Sequence, residues 1–431
     1  MVKSKHPMDI DVGSTNYTRF CKLRRVILTL ACLAFVAATV LCCSYFLSNT
    51  IQSHGMAVAP DNQSPTGKIL VFGGNGFLGA ETVTKLLGAG YQVVVVNRGN
   101  WYWDSYFRVK PFVTHVQCDR MKPLDEKCTE LVDIVGNSSF DAVIDFSAYI
   151  PFSAKQALKL VKNKAKLYIY ISTDSVYEVC EKTHNQTTRE TDAVRPQSLE
   201  RRHELESVES YGHNKLLIEE ELAAQREVGG IPYISLRLPD VIGPRDTTYR
   251  WWIYQMWLKL ADHLDKPPSI PEYLVSTPMS LVYVNDVADV IVKLLTPKPE
   301  ALDQAFNLAF TETPTLLQLL TDLKMALNLT DLPLMTDDSS SSIHMFPSVR
   351  NGPIDISKAQ DILDWSPTPL NKAILETVDF YEKAVRDPYL NNPRKDVIRS
   401  LQTHFTNRPF KVLLGLKKHY GLDFQVPKDE L

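Results

Sequence analysis

Between residues 68 and 171 the chain alternates short apolar runs with stretches of helical spacing. Lys68–Phe72, 91–96, Thr114–Gln117, 142–146 and 166–171 are the apolar runs. The buried ones are near-continuous in Val, Ile and Leu, as strands covered on both faces should be. Helical spacing fits 80–87 and several of the stretches between later runs. Strands alternating with helices predict an α/β fold: a Rossmann-type doubly wound parallel sheet with helices on both faces. Past Asp240 the elements shorten, and prolines and aromatics become frequent. Residues 68–241 are therefore read as the sheet domain, 242–385 as a smaller C-terminal lobe, and 386–431 as a helical extension that turns irregular.

A different pattern precedes the sheet. Residues 26–47 form 22 consecutive positions without a charge, long enough for a helix to cross a bilayer. Lys3, Lys5, Arg19, Lys22, Arg24 and Arg25 precede them, against Asp9 and Asp11. That excess predicts a cytosolic tail over 1–25, a transmembrane anchor over 26–47 and a lumenal remainder. A cleaved signal peptide, cut near Ala57-Val58-Ala59, is the alternative. Residues 48–67 are polar with Pro60 and Pro65, and read as a stalk. The last four residues, Lys428-Asp429-Glu430-Leu431, match the KDEL signal of a lumenal retrieval receptor. The expected location is the endoplasmic reticulum membrane, single-pass type II. Asn62, Asn137, Asn185 and Asn328 begin Asn-x-Ser/Thr sequons and are candidate glycosylation sites on that side.

Composition alters this little. With 44% hydrophobic and 23% charged residues and a net charge of -3, nothing suggests nucleic acid. The seven cysteines lack metal-ligand spacing, and no metal site is expected. Beyond the apolar run, Cys118, Cys128 and Cys180 remain. Cys118 and Cys128 either pair, as an oxidising compartment permits, or all three stay thiols.

The first strand runs into Gly73-Gly74-Asn75-Gly76-Phe77-Leu78-Gly79, which opens the first helix. Glycines in this context let the backbone turn tightly and approach a pyrophosphate on the helix N-terminus. The cofactor expected is NAD(P). The second strand ends in Asn97-Arg98-Gly99, with no acid to bind a ribose 2′-hydroxyl, so NADP is favoured over NAD. Asp119, ending the third strand, is placed for the adenine edge or is a plain strand-terminating carboxylate. Tyr211 and Lys215 stand four apart on one helix face, after a fifth strand that ends Ser172-Thr173-Asp174-Ser175-Val176-Tyr177. In such an arrangement a lysine charge depresses the tyrosine pKa, so the phenol exchanges a proton with a substrate oxygen that Thr173 also holds.

The glycine loop, the strand end and Tyr211-Gly212-His213-Asn214-Lys215 together resemble the extended short-chain dehydrogenase/reductases, or NAD-dependent epimerase/dehydratase family. Leu236-Arg237-Leu238-Pro239, Gly243-Pro244-Arg245, 282–288, Phe306-Asn307-Leu308, Asp355 and 363–367 continue the likeness, which covers about 68–385. It implies that Thr173, Tyr211 and Lys215 hold the catalytic positions, with Lys215 also touching the nicotinamide ribose. The strand end is similar to that of sugar-nucleotide dehydratases, whose Asp-Glu pair performs the elimination. Here Asp174 is present, but Ser175 replaces the glutamate. Glu178 stands where glycine is usual. Arg350 lies where relatives often bind a diphosphate, or it is a solvated loop residue.

Trp251, Trp252, Tyr254, Met256 and Trp257 crowd one helix-like segment. They form a core face, the wall of an apolar substrate site, or a patch against the membrane. The expected activity is that of an NAD(P)-dependent oxidoreductase or epimerase acting on a nucleotide sugar or related polar carbonyl/hydroxyl compound. Its rivals are a lipid or sterol alcohol dehydrogenase and a non-catalytic dinucleotide-binding scaffold. Expected partners are a small-molecule substrate, the membrane through the anchor and the KDEL receptor; a homodimer stays open.

Overall fold

The computed structural model describes residues 65–182, 184, 186–337 and 344–423. The anchor and tail at 1–47, most of the stalk, Asn62, Asn185 and the terminal KDEL lie outside the described residues. Among those described, no helix is long and apolar enough to cross a membrane.

Strands β1 (Lys68–Phe72), β2 (Gln92–Asn97), β3 (Thr114–Gln117), β4 (Ala142–Asp145), β5 (Tyr168–Thr173), β6 (Tyr233–Leu238) and β7 (Gln304–Asn307) form one sheet in the order β7-β6-β5-β4-β1-β2-β3. Every pairing is parallel. The chain leaves β1 in one direction and returns past it with β4, so β1 and β4 flank the topological switch point. Alternate residues of one strand enter different cores. Ile69 and Val71 join one apolar cluster, while Leu70 and Phe72 join the other. That two-sided burial explains why the strands read as unbroken apolar runs.

Helix α1 (Phe77–Gly88) follows the glycine loop and α2 (Pro151–Val161) follows β4. Helix α3 (Ser210–Glu227) carries Tyr211 and Lys215. The fifth strand runs on to Thr173, two residues beyond the apolar run, because Ser172 and Thr173 still pair with Arg237 and Leu238 of β6. The segment after 242 is not wholly a separate lobe, since it supplies β7 at the sheet edge.

Helix α4 (Arg250–Lys259) is buried all round from Trp251 to Leu258. Its tryptophans are core residues, which leaves neither a membrane patch nor an exposed apolar wall there. Helices α5 (Val284–Lys293) and α6 (Leu370–Ala384) complete this side. Next come α7 (Asn391–His404) and α8 (Phe410–Tyr420), whose residues Val397, Leu401, Val412 and Leu416 enter the same core.

Candidate active site

The C-terminal ends of β1, β2 and β3 open onto a cleft of about 660 Å³. Its floor is the glycine loop. Gly73 adopts φ +87°, a conformation that a side chain would strain. A Cβ on Gly79 would lie 2.1 Å from the Gly73 carbonyl oxygen, and one on Gly76 would lie 2.9 Å from the Tyr102 ring. Gly74 faces inward instead, against Val83, Val71 and Val95, and contributes packing rather than a cleft wall. Phe77 and Leu78 line the cleft where α1 begins.

Asn97, Arg98 and Asp119 line its far side. The Asn97 Oδ1 accepts from the Gly99 N–H at 2.7 Å. Its buried Nδ2 has no hydrogen-bond partner. Arg98 is exposed and forms no ion pair with the described residues. A glycine cradle that Cβ atoms would fill, a helix N-terminus and an unpartnered buried amide fit a dinucleotide cofactor. Gly73 and Gly76–Gly79 would hold its pyrophosphate, with Asn97, Arg98 and Asp119 toward the adenosine end.

Sequence reading missed the group that shapes the near wall. Asp145, fully buried at the end of β4, is paired with Arg120, whose Nη2 donates to Asp145 Oδ2 at 2.8 Å. The same carboxylate accepts from the Ser147 and Ala148 N–H groups at 3.0 and 2.9 Å. The pair thereby fixes the loop that presents Ser147 and Tyr149 to the cleft. The signal available was positional: an acid on a strand end at the switch point.

Cys118 and Cys128 form a disulfide, and Cys118 lines the cleft beside Asp119 and Arg120. Cys180 is a buried free thiol, and its enclosure pushes its pKa up to about 12.

Thr173, Tyr211 and Lys215 meet next to the cleft. Gly212 allows it: a Cβ there would lie 2.0 Å from the Ser175 carbonyl oxygen, so α3 rests directly on the turn after β5. The Lys215 ammonium is buried, donating to the Ile171 carbonyl at 2.6 Å and the Ala148 carbonyl at 3.3 Å. It also lies 4.5 Å from the Tyr170 ring centroid. Burial pulls its pKa down to about 7.

The expected depression of the Tyr211 pKa does not occur in this state. Desolvation raises it, Tyr149 and Asp174 add to the rise, and a hydrogen bond with Thr173 opposes it. The reason is geometric: the Lys215 nitrogen is turned to two carbonyls, 5.9 Å from the Tyr211 ring centroid, and its burial disfavours the charged form. The phenol therefore stays protonated. The Tyr149 ring, 6.5 Å from that of Tyr211, is a neighbour that no motif announced.

Asp174 is buried, and its Oδ2 has no partner. Burial raises its pKa well above the carboxylate range, with Asp240 and Glu178 adding their charge. These two acids also clamp the segment that carries Arg350. Asp240 accepts from the Ser348 N–H and hydroxyl at 2.7 Å. Glu178 Oε1 accepts from the Arg350 and Asn351 N–H groups at 2.9 and 2.8 Å. A glycine at 178 would leave both donors without that acceptor. The Arg350 residue itself is exposed.

The family model described as the NAD dependent epimerase/dehydratase family matches residues 69–309, more than half of the chain. Among curated proteins, the UDP-glucose 4-epimerase of Lactobacillus helveticus is 26% identical over 193 residues, 41% of this chain. The matched part spans about half that relative, 52% of its length. Among solved structures, UDP-glucose 4-epimerase of Thermotoga maritima with UDP-glucose superimposes with a TM-score of 0.58 at 21% identity. It covers 74% of this chain and 100% of that one. The dTDP-glucose 4,6-dehydratase of Bacillus anthracis in complex with NAD gives 0.58 at 19%, covering 75% and 99%. The Thermus thermophilus UDP-glucose 4-epimerase complex with NAD gives 0.55 at 18%, covering 73% and 98%. At these identities the superpositions speak to the fold.

Proposed function

Since the chain belongs to the NAD dependent epimerase/dehydratase family, we propose that it is an NAD(P)-dependent enzyme that oxidises, reduces or epimerises a nucleotide sugar or a related polar carbonyl/hydroxyl compound. One observation carries this reading: Thr173, Asp174 and Tyr211 are gathered on the β5 end, immediately beside the nucleotide cleft, with Lys215 behind them. The nicotinamide, when bound, supplies the hydride acceptor and donor.

The chain's own residues do the rest. Thr173 and Tyr211 hold the substrate oxygen; in reduction the protonated phenol delivers its proton to it, and in oxidation the phenolate takes the hydroxyl proton back. Asp174, kept neutral, offers a second proton or hydrogen bond. Ser175 cannot abstract a carbon-bound proton as a glutamate would, which favours oxidoreduction or epimerisation over elimination. The burial of the α4 tryptophans removes one of the two supports for a lipid or sterol alcohol as substrate, the other being the expected membrane anchor.

Replacing Tyr211 with Phe removes one oxygen and keeps the ring. Turnover should fall by roughly two or more orders of magnitude, while the glycine loop still binds cofactor. With the substrate unidentified, the readout is an untargeted metabolite comparison of cells lacking the protein, rescued with wild type or with Tyr211→Phe. Complete rescue by a variant that binds cofactor normally sinks the enzymatic reading in favour of a binding scaffold.

NADPH is proposed over NADH. The exposed Arg98 guanidinium at the cleft, paired with no carboxylate among the described residues, supports a 2′-phosphate contact. Arg98→Ala should narrow or reverse a preference seen in the wild-type protein by titration. Equal wild-type affinity for both defeats the claim. The chemistry is further proposed to occur in the lumen of the endoplasmic reticulum. The charge asymmetry around 26–47 and the Cys118–Cys128 disulfide support that placement.

A further inference from the structure

Asp262 and His263 end the short turn after α4, and His419 lies on the last turn of α8. The two imidazoles address the same carboxylate oxygen. Asp262 Oδ1 is 2.7 Å from His263 Nδ1 and 3.1 Å from His419 Nε2. The other carboxylate oxygen is engaged by the Lys418 ammonium, which orients the group while leaving Oδ1 to the histidines. All three ligand atoms lie within 4.8 Å of one another, and this is the one such group of three among the described residues.

The placement of His263 depends on Gly415, one helical turn before His419. A Cβ on residue 415 would lie 3.3 Å from both Cβ and Cγ of His263. The missing side chain lets the imidazole lie against α8, where its ring meets that of His419 edge to face at 5.8 Å. The side chains of both histidines are four-fifths or so covered, at 20% and 23% exposure.

We propose that Asp262, His263 and His419 bind one Zn²⁺, with water completing the tetrahedron. Bonds of about 2.0–2.1 Å imply ligand-to-ligand edges of roughly 3.3–3.4 Å. The 2.7 Å separation needs to open by roughly 0.6–0.7 Å and the 3.1 Å one by roughly 0.2–0.3 Å to reach those edges, and the two nitrogens to close from at most 4.8 Å. Two imidazoles with one carboxylate suit Zn²⁺ and reject the hard, oxygen-seeking Mg²⁺. The lysine on Oδ2 acts as an outer partner that holds a ligand in place. Such an ion ties α8 to the end of α4 and is a structural staple, remote in sequence from the catalytic residues. Spacing could not reveal it, because 157 positions separate Asp262 from His419.

The test uses the full-length protein, stripped with EDTA and then titrated with ZnCl₂, with MgCl₂ in parallel. Zinc should bind with a stoichiometry of one at this site and raise the unfolding midpoint; magnesium should do neither. His263→Gln, His419→Gln and the double variant are compared, and the single variants keep the test valid if the double fails to fold. Each should bind zinc at least about tenfold more weakly, since each removes a direct ligand, and should lose the zinc-dependent shift. Absence of zinc binding by wild type overturns the proposal. So does unchanged affinity in the folded histidine variants, which would place the metal elsewhere in the chain.

Discussion

Asp174 shows how a single residue can be costly for the fold and useful to the reaction. Its carboxyl is buried with one oxygen unpartnered, next to Asp240 and Glu178. Ionising it in that setting is unfavourable, so the native state keeps the proton while the unfolded chain releases it near pH 4. A raised folded pKa in an acid means that stability is retained below the unfolded pKa and declines as pH rises toward the folded one. Asp174→Asn keeps the shape and removes that penalty. The variant should exceed wild type in stability at pH 7, and the difference should shrink toward pH 4. Thermal unfolding of both proteins across that range is the check. A pH-independent difference, or a variant less stable throughout, would contradict the protonation state assigned here. Turnover should fall in the same variant, because an amide cannot give up a proton.

At the scale of elements, the decisive contact is that of α3 with the turn after β5. The Tyr-x-x-x-Lys spacing puts both side chains on one face, but only Gly212 lets that face reach Thr173. Gly212→Ala ordinarily gains about 1 kcal/mol in a helix. Here its Cβ would meet the Ser175 carbonyl oxygen at 2.0 Å, and backbone must move. Net destabilisation of roughly 1–3 kcal/mol is expected from such overpacking, with turnover lost and cofactor affinity kept. Gly88→Ala, at the end of α1 with nothing within 4 Å of the added carbon, is the matched control and should be neutral or slightly stabilising. If both variants behave alike, close approach at Gly212 is not what seats Tyr211.

The same element explains what could be read in advance. The glycine loop, the β5 end and the Tyr211/Lys215 pair are local in sequence, so their spacing carries their geometry. Tyr149, Arg120 with Asp145, and the Glu178 and Asp240 clamps join residues far apart in the chain, and no period or motif encodes such pairings. Helix α4 was ambiguous for another reason. Buried on every side, it has no polar face to set its orientation. Its mixture of aromatic residues favoured a core face but also admitted a wall or a membrane patch.

For the whole molecule, the chain beyond the sheet is built into the fold rather than appended to it. Trp257 of α4 packs on Phe405, which follows α7, with ring centroids 4.6 Å apart. The Asp265 and Lys266 N–H groups donate to the Phe405 carbonyl at 3.1 and 3.0 Å. What remains is the proposed attachment to a membrane and the side on which this unit would then work. The charge asymmetry around 26–47 predicts the lumen, and a disulfide is expected to persist only where the compartment is oxidising. Asn137 and Asn328 are exposed, the first just after a helix, where its Nδ2 donates to the Asp133 carbonyl at 3.0 Å, and the second at φ +56° in a turn. The expectation is that the full chain in sealed microsomes resists added protease until detergent is supplied. Any glycan on it should be removed by endoglycosidase H, and Asn137→Gln with Asn328→Gln should abolish the mobility shift due to those two sites. The protease arm decides between the two sides. If residues 65–423 are digested while the vesicles are intact, the domain faces the cytosol, and the charge argument fails whatever the glycan result.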